Sequence, residues 1–423
     1  MLPSPVAPPR WTALIRVALI ALVVCGLGAA YALTLQTHIA GSFDERRSPE
    51  LRLKNEYIKD VSEIQVALNT WGTIHHTGYP LFAVLGNLFT LPLRLAGVEP
   101  AAAASLYALV WGLVALAAFA VLVWRLTGRP ALAALGVGVV GLARTIWVHN
   151  VVAEVYSMSL AITMVILTIA LWPGPWRGAW GWRRRVLTLA LLGGIGVAHH
   201  RAVAFVAPAA LVAAWLHRRD EPVRWGPTLL AATGLAVLGF LPYIYLPLRA
   251  WQGAEWVYGE PGTWRGLWIE FTGREASWLV TLPPNAAGWL DNARRSAGIL
   301  ATELTLPGLL AALAALALAM TVTDQRRAAR LMALAAAGPA AFAVAFHTAV
   351  MPEAVLMPVV PALVFGVVLA LNGLARRHPR ALIAGAMGLA VWAVALGITH
   401  SPFVDALARE PGGVETIARL QNI

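Results

Sequence analysis

Residues 59–82 read KDVSEIQVALNTWGTIHHTGYPLF, and here the polar chemistry of the chain meets its apolar mass. Asp60 and Glu63 come first, then a short apolar pattern, then His75, His76, Tyr79 and Pro80 around a turn. Long apolar runs lie on either side. The chain is 59% hydrophobic and only 13% charged, with a mean hydropathy of +0.69, a combination that ordinary soluble domains do not reach. Runs of about 18 to 25 mostly apolar residues recur from end to end, each long enough to cross a bilayer as a helix. The sequence therefore predicts an all-α polytopic integral membrane protein.

The formal net charge of +11 comes almost wholly from arginine, since the only lysines are Lys54 and Lys59. The arginines form tight groups: Arg10 and Arg16; Arg125 and Arg129; Arg177 and Arg183 to Arg185; Arg218, Arg219 and Arg224; Arg326, Arg327 and Arg330; Arg376, Arg377 and Arg380. Short basic clusters between apolar runs set topology, and no nucleic-acid partner is expected. If all six clusters are cytoplasmic, segment 79–97 cannot cross without inverting every later one. It is expected to lie along the outer membrane surface or to dip in without crossing.

That leaves about eleven transmembrane helices: 11–35, 101–124, 130–148, 155–172, 185–199, 202–216, 227–248, 296–320, 329–348, 355–374 and 381–399. Residues 1–400 form one membrane domain, followed by a short external tail, 401–423. The first run is longer than a signal-peptide core and reads as a retained helix. Cys25 is the only cysteine, so neither a disulfide framework nor a thiolate metal cage is available. Segments 36–78, 144–154, 199–202, 249–293 and 347–354 all emerge on the external face. Trp251, Trp256, Trp264, Trp268 and Trp278 crowd the second long loop, as aromatic residues do at a membrane interface.

Asp60 with Glu63 three residues on, ahead of Ile64, Ala67, Leu68 and Trp71, fits a capping box. A carboxylate fixed at a helix start beside the bilayer can equally take a proton from an incoming nucleophile, and the spacing leaves both readings open. Adjacent His75 and His76 point in different directions on most backbones, so a bond to phosphate or carboxylate fits them better than a shared metal. Glu154 opens a transmembrane run, where an acid is costly. His199, His200 and Arg201 gather three potential cations in one tight turn, as an anion site would. Arg249, at the mouth of a span, fits snorkelling or a phosphate contact, and Glu353 is equally ambiguous. Asp44 and Glu45 read as solvated loop charges, and Pro49 as a helix start. The run Gly193-Gly194-Ile195-Gly196 has no strand before it and reads as close helix packing, not a nucleotide loop.

DVSE, eleven residues, then HHTGYPLF resembles the D-x-G-E … H-P-P-G-Y-P-L-Y signature of a family of bacterial and animal membrane proteins among the GT-C glycosyltransferases. Its animal member is a transmembrane O-mannosyltransferase. The resemblance continues through AEVYSM (153–158), GIGVAHHRA (194–202), LPYIYLPLRA (241–250), WVYGEPGTWRG (256–266) and EAVLMPVVPALVFG (353–366), in the family's order. His76 and Thr77 stand where the family has two prolines, Ser62 where it has glycine, and residues 36–59 look inserted.

The resemblance implies a GT-C-like fold with juxtamembrane helices in the first external loop. It implies transfer of one sugar from a polyprenyl-phosphate donor to an extracytoplasmic protein, lipid or glycan acceptor, by inversion. Asp60 would be the base and Glu63 its partner. His75, His76, Tyr79, Glu154, Tyr156, His199, His200, Arg201 and Arg249 would surround the donor sugar and phosphate. No cofactor and no metal are expected, and the site would face the periplasm or exterior from a bacterial cytoplasmic membrane. A transporter or flippase of a lipid-linked sugar is the alternative; it predicts mid-span charges and two similar halves.

Overall fold

A computed structural model describes residues 10–41, 49–174, 181–218, 224–274, 280–322, 324–346 and 351–409. Among them there is no strand. The chain begins α1 (Arg10–Leu33), α2 (Pro49–Ile58), α3 (Val61–Thr70), α4 (Pro80–Leu95), α5 (Pro100–Thr127), α6 (Pro130–Gly141), α7 (Arg144–Val151) and α8 (Tyr156–Ala170). It continues with α9 (Trp182–His199), α10 (Ala207–His217), α11 (Trp225–Leu238), α12 (Tyr245–Trp251), α13 (Trp264–Thr272) and α14 (Ala286–Leu304). The last helices are α15 (Leu306–Val322), α16 (Arg326–Ala345), α17 (Pro352–Leu356), α18 (Val359–Arg377) and α19 (Pro379–Arg409). Short 3-10 turns, Arg201–Val206 and Leu241–Ile244, lead into α10 and α12. Helices α2, α4, α5, α6, α17 and α19 all open on proline, whose missing N–H would have had no helical partner there.

Five helical stretches, 100–127, 225–251, 326–345, 352–377 and 379–409, are long and apolar enough to cross a membrane; two bent pairs bring the number to seven. The bends revise the expected spans. Segment 130–148 is not one helix but α6 and α7, turned by 76°, and 296–320 is divided between α14 and α15, turned by 100°. At the second break Thr305 takes a positive φ of 62°, and its hydroxyl accepts from Gly308 N–H at 3.3 Å to restart the helix. The glycine run in α9 does serve packing: a Cβ on Gly194 would sit 2.1 Å from the Ala236 carbonyl of α11.

A broken helix in an apolar setting exposes backbone groups that must find partners inside the protein. The two breaks supply one another, with α19 as the third party. Glu303, near the end of α14, accepts from Thr145 N–H at 3.0 Å and from the Thr145 hydroxyl at 2.6 Å. Buried His400 places its ring nitrogens 2.8 Å from the Leu142 carbonyl and 3.0 Å from the Thr302 carbonyl. Trp392 donates to the Leu304 carbonyl at 2.8 Å. This explains why α19, expected to end near 399, runs on to Arg409: Phe403 packs on Tyr57, and Val404, Leu407 and Ala408 are buried. Only residues 410–423 of the expected tail lie outside the described residues, as do Asp44, Glu45, Arg177, Arg219 and Trp278.

Segment 79–97 forms α4, whose 16 residues reach about 24 Å at 1.5 Å per residue, short of a ~30 Å hydrocarbon core. Its polar groups finish α3. Asn87 donates to the Ala67 carbonyl at 2.9 Å and accepts from Trp71 N–H at 2.8 Å, while the Thr90 hydroxyl donates to the Leu68 carbonyl at 2.6 Å. Leu88, Leu91 and Leu95 stay exposed on the other side. By length and composition α4 is a short apolar helix with one exposed face.

Replacing His400 with alanine removes the imidazole N–H donor at the breaks and should destabilise the protein by about 1–3 kcal/mol. Thermal unfolding in detergent should show a lower Tm for His400→Ala and an unchanged one for Met387→Ala, on an exposed face of the same helix. Equal Tm values would mean that the breaks are held some other way.

Candidate active site

Helix α3 ends on Trp71 in the left-handed region, φ 55°, and the chain then runs 71–79 without helix. Several of its backbone partners come from residues 243–256, at and after the end of a later helix. Thr73 N–H donates to the Trp256 carbonyl at 3.1 Å, and Tyr258 N–H donates to the Thr73 hydroxyl at 2.7 Å. Tyr245 donates to the Gly72 carbonyl at 3.0 Å, Arg249 Nε to the Trp71 carbonyl at 2.6 Å and Tyr243 to the Thr77 carbonyl at 2.8 Å. Gly72 allows the approach, because a Cβ there would lie 2.9 Å from the Trp256 carbonyl.

On this frame three groups converge. Glu63 accepts from His75 N–H at 2.8 Å, and its second oxygen lies 2.8 Å from His75 Nδ1. His75 Nε2 stands 3.8 Å from Asp60 Oδ2. The capping-box reading is corrected here: Asp60 makes no side-chain cap bond, because its backbone is helical (φ −102°, ψ −4°) rather than extended as a capping residue usually is. Glu63 turns to the loop instead of back to Asp60. The Asp60 side chain keeps 34% exposure, so its carboxylate is wet and uncommitted to the helix. Asp60, Glu63 and His75 could also share a cation, since one ligand atom from each lies within 4.8 Å of the others.

Burial disfavours a charged His75, but the Glu63 hydrogen bond and the charges of Asp60, Glu63 and Glu270 outweigh it, and His75 titrates above its usual range. Rings carry the site onward. His75 meets His76 at 5.8 Å, Tyr79 at 5.5 Å and Tyr258 at 6.2 Å between centroids. Tyr79 stacks on His200 at 6.1 Å and meets His199 at 6.0 Å, and Tyr156 meets His200 at 5.4 Å. Glu154, 3% exposed, accepts from Val155 N–H at 3.2 Å. Burial pushes its carboxyl well above the usual range, and the nearby charges of Asp60 and Glu63 push the same way. His200 is pushed down to about 4 by burial, with Arg201 and His75 adding to the effect.

The structure thus brings Asp60, Glu63, His75, His76, Tyr79, Glu154, Tyr156, His199 and His200 together. The two arginines are already engaged. Arg201 donates to the carbonyls of Val197 and Phe271 and to the Tyr243 hydroxyl at 3.0 Å, which fixes a positive charge behind His200. Arg249 holds the Trp71 carbonyl and reaches Gln252 at 2.6 Å. Sequence reading singled out neither Tyr258, Tyr243 nor Glu270. Motif 256–266 contains Tyr258, yet nothing local marks that tyrosine as facing His75.

Fold and site together describe an all-helical protein with at least five helical stretches long and apolar enough to cross a membrane and a polar cluster at its helix ends. Residues 60–223 match the family model described as "Protein O-mannosyl-transferase TMEM260 N-terminal domain", which starts on Asp60. Mouse Protein O-mannosyl-transferase TMEM260 is 28% identical over 220 residues, 50% of this chain and 30% of the mouse protein. The crystal structure of ArnT from Cupriavidus metallidurans bound to undecaprenyl phosphate superposes with a TM-score of 0.54 at 16% identity, over 98% of this chain and 79% of that one. The shared fold covers nearly the whole chain, and the family resemblance read from the motifs is found again over its first half.

Glu154 gives a pH test. An acid whose folded pKa is raised keeps a proton that the unfolded chain loses above about pH 4.3, so stability falls as pH rises through that window. Wild type should lose Tm between pH 5 and 8 relative to Glu154→Gln, which mimics the neutral acid. A pH-independent difference between the two would show that Glu154 is ionised in the fold.

Proposed function

We propose that this protein is a membrane glycosyltransferase that moves one sugar from a polyprenyl-phosphate donor to a hydroxyl acceptor on the external face of a bacterial cytoplasmic membrane. The observation that carries the reading is the wet, uncapped carboxylate of Asp60 beside a buried Glu154 and an imidazole cluster, at helix ends where a lipid-borne donor can arrive. The GT-C fold shared with an undecaprenyl-phosphate-bound protein supports that donor class.

The reaction is a single inverting displacement. The acceptor oxygen forms a bond to the anomeric carbon as the bond from that carbon to the phosphate oxygen breaks. The electron pair leaves with the phosphate, and the acceptor proton passes to Asp60. Glu63 orients the site through His75. Neutral Glu154 donates a hydrogen bond to the donor, and His199, His200 and His76 line its path. Arg201 and Arg249 act from fixed positions: Arg201 sets a positive field behind the leaving phosphate without having to reorganise.

No metal is required in this reading. Both Glu63 oxygens already serve His75, so a cation on the three-residue cluster would compete with the bonds that hold the turn. Activity should survive chelation by EDTA; abolition by EDTA and rescue by a divalent ion would reverse this assignment. Asp60→Asn should lower sugar transfer by about 10²–10⁴-fold while undecaprenyl phosphate still binds, measured with radiolabelled polyprenyl-phosphate sugars and membrane extract. Undiminished transfer by a folded Asp60→Asn protein would move the base elsewhere.

A further inference from the structure

Beside the reacting groups, on the side of the second long loop, lies a cavity of about 400 Å³ lined by Gly259, Glu260, Arg265, Gly266, Ile269 and Glu270. Its size falls within the range of small-ligand sites, about 300–1,000 Å³. Nothing in the donor chemistry uses it.

The cavity is built closely around one carboxylate. Glu270 is 2% exposed, and Gly259, at φ +63°, lies so close that a Cβ would fall 2.2 Å from Glu270 Oε1. Elsewhere in the lining a Cβ on Gly266 would fall 1.9 Å from the Glu260 carbonyl. Thr263 accepts from Gly266 N–H at 2.9 Å, and Trp251 pins the Gly262 carbonyl at 2.8 Å. The cavity shares its walls with the catalytic turn. Tyr258, next to Gly259, meets His75 and His76 at 6.2 and 6.0 Å. Phe271, next to Glu270, meets Tyr243 at 5.0 Å, and Tyr243 holds Thr77. The charge of Glu270 acts on His75.

We infer that this cavity is the acceptor subsite and that it takes the terminal sugar of a glycan, presenting one hydroxyl toward Asp60. The inference rests on the transferase reading and names its second substrate. Two carboxylates and a guanidinium accept from and donate to neighbouring hydroxyls, and the surplus negative charge disfavours an anionic ligand. An extended peptide would need an unpaired sheet edge or an apolar groove. The lining of this cavity, from helix α13 and a turn, has three charged side chains and one apolar one, Ile269.

The test is saturation-transfer NMR on the full chain in nanodiscs, with a panel of methyl glycosides and with blocked serine and threonine as probes. Saturation should reach a methyl glycoside, persist in the presence of saturating undecaprenyl phosphate, and fall at least about tenfold in Arg265→Ala and in Glu270→Gln. A glycoside signal that survives both substitutions overturns the inference, as does its absence from wild type. Saturation of blocked serine or threonine alone overturns the glycan in favour of a protein acceptor. Undecaprenyl phosphate binding is read in the same sample. A glycoside signal without it supports the sugar site and sinks the donor reading, whereas the reverse result leaves the donor reading and removes the subsite.

Discussion

In an apolar surround a backbone N–H or C=O that leaves its helix must be bonded by something else in the chain, and this constraint organises the whole molecule. The chain breaks its helices at 142–143, at 305 and along 71–79, and each break is answered by particular side chains. His400, Trp392 and the Glu303–Thr145 pair hold the first two. The third is held by Asn87 and Thr90 from one side and by Tyr243, Tyr245, Arg249 and Thr73 with Trp256 from the other. The site therefore does not belong to the first loop alone. Its geometry is imposed from residues more than 160 positions later, by tyrosine and arginine donors aimed at loop carbonyls.

Once that turn is fixed, its electrostatics follow from burial. Asp60, Glu63 and Glu154 sit close enough to act on one another's neighbours, which would be unfavourable with all three charged in a dry pocket. The cluster relieves this in two ways. His75 lies between Asp60 and Glu63, whose charges favour its protonated form, and burial of Glu154, the most buried of the three, favours its neutral form. Arg201 adds a charge that cannot drift, since its guanidinium is bonded to Val197, Phe271 and Tyr243.

How much of this was legible in the sequence varies with the range of the interaction. The all-helical membrane class follows from composition, and the helices from apolar run length and initiating prolines, because those signals are local. The broken spans were not legible: 130–148 and 296–320 are each apolar enough to pass for a single span, and the polar seam at their bends joins partners as distant as Leu142 and His400. The acids and histidines of 60–76 stood out as polar groups among apolar runs. The local pattern could not say that the Asp60 backbone would be helical rather than extended, nor that Glu63 would be claimed by a loop twelve residues on. The bonds of Arg201 to Phe271 and of Arg249 to Trp71 could not be read locally, because those acceptors lie 70 and 178 residues away. Glu270 went unread because a lone acid in a tryptophan-rich loop looks like any other interfacial charge.

The unequal exposure of the two carboxyl groups makes sense in the proposed transfer. A base that takes a proton from each acceptor must lose it again before the next turnover, so it needs a route to water, and Asp60 has one. A group that only donates a hydrogen bond to the donor gains from being dry: burial keeps its proton in place and strengthens the bond. Unequal exposure of this kind suits one carboxyl group to exchange protons with water and the other to keep a fixed hydrogen bond. His75 stands where both influences meet, within reach of Asp60 on one side and of the Tyr79–His200 stack that leads to Glu154 on the other. The anomeric carbon would therefore lie beside His75, with the lipid phosphate toward the helix ends and the acceptor arriving from the loops.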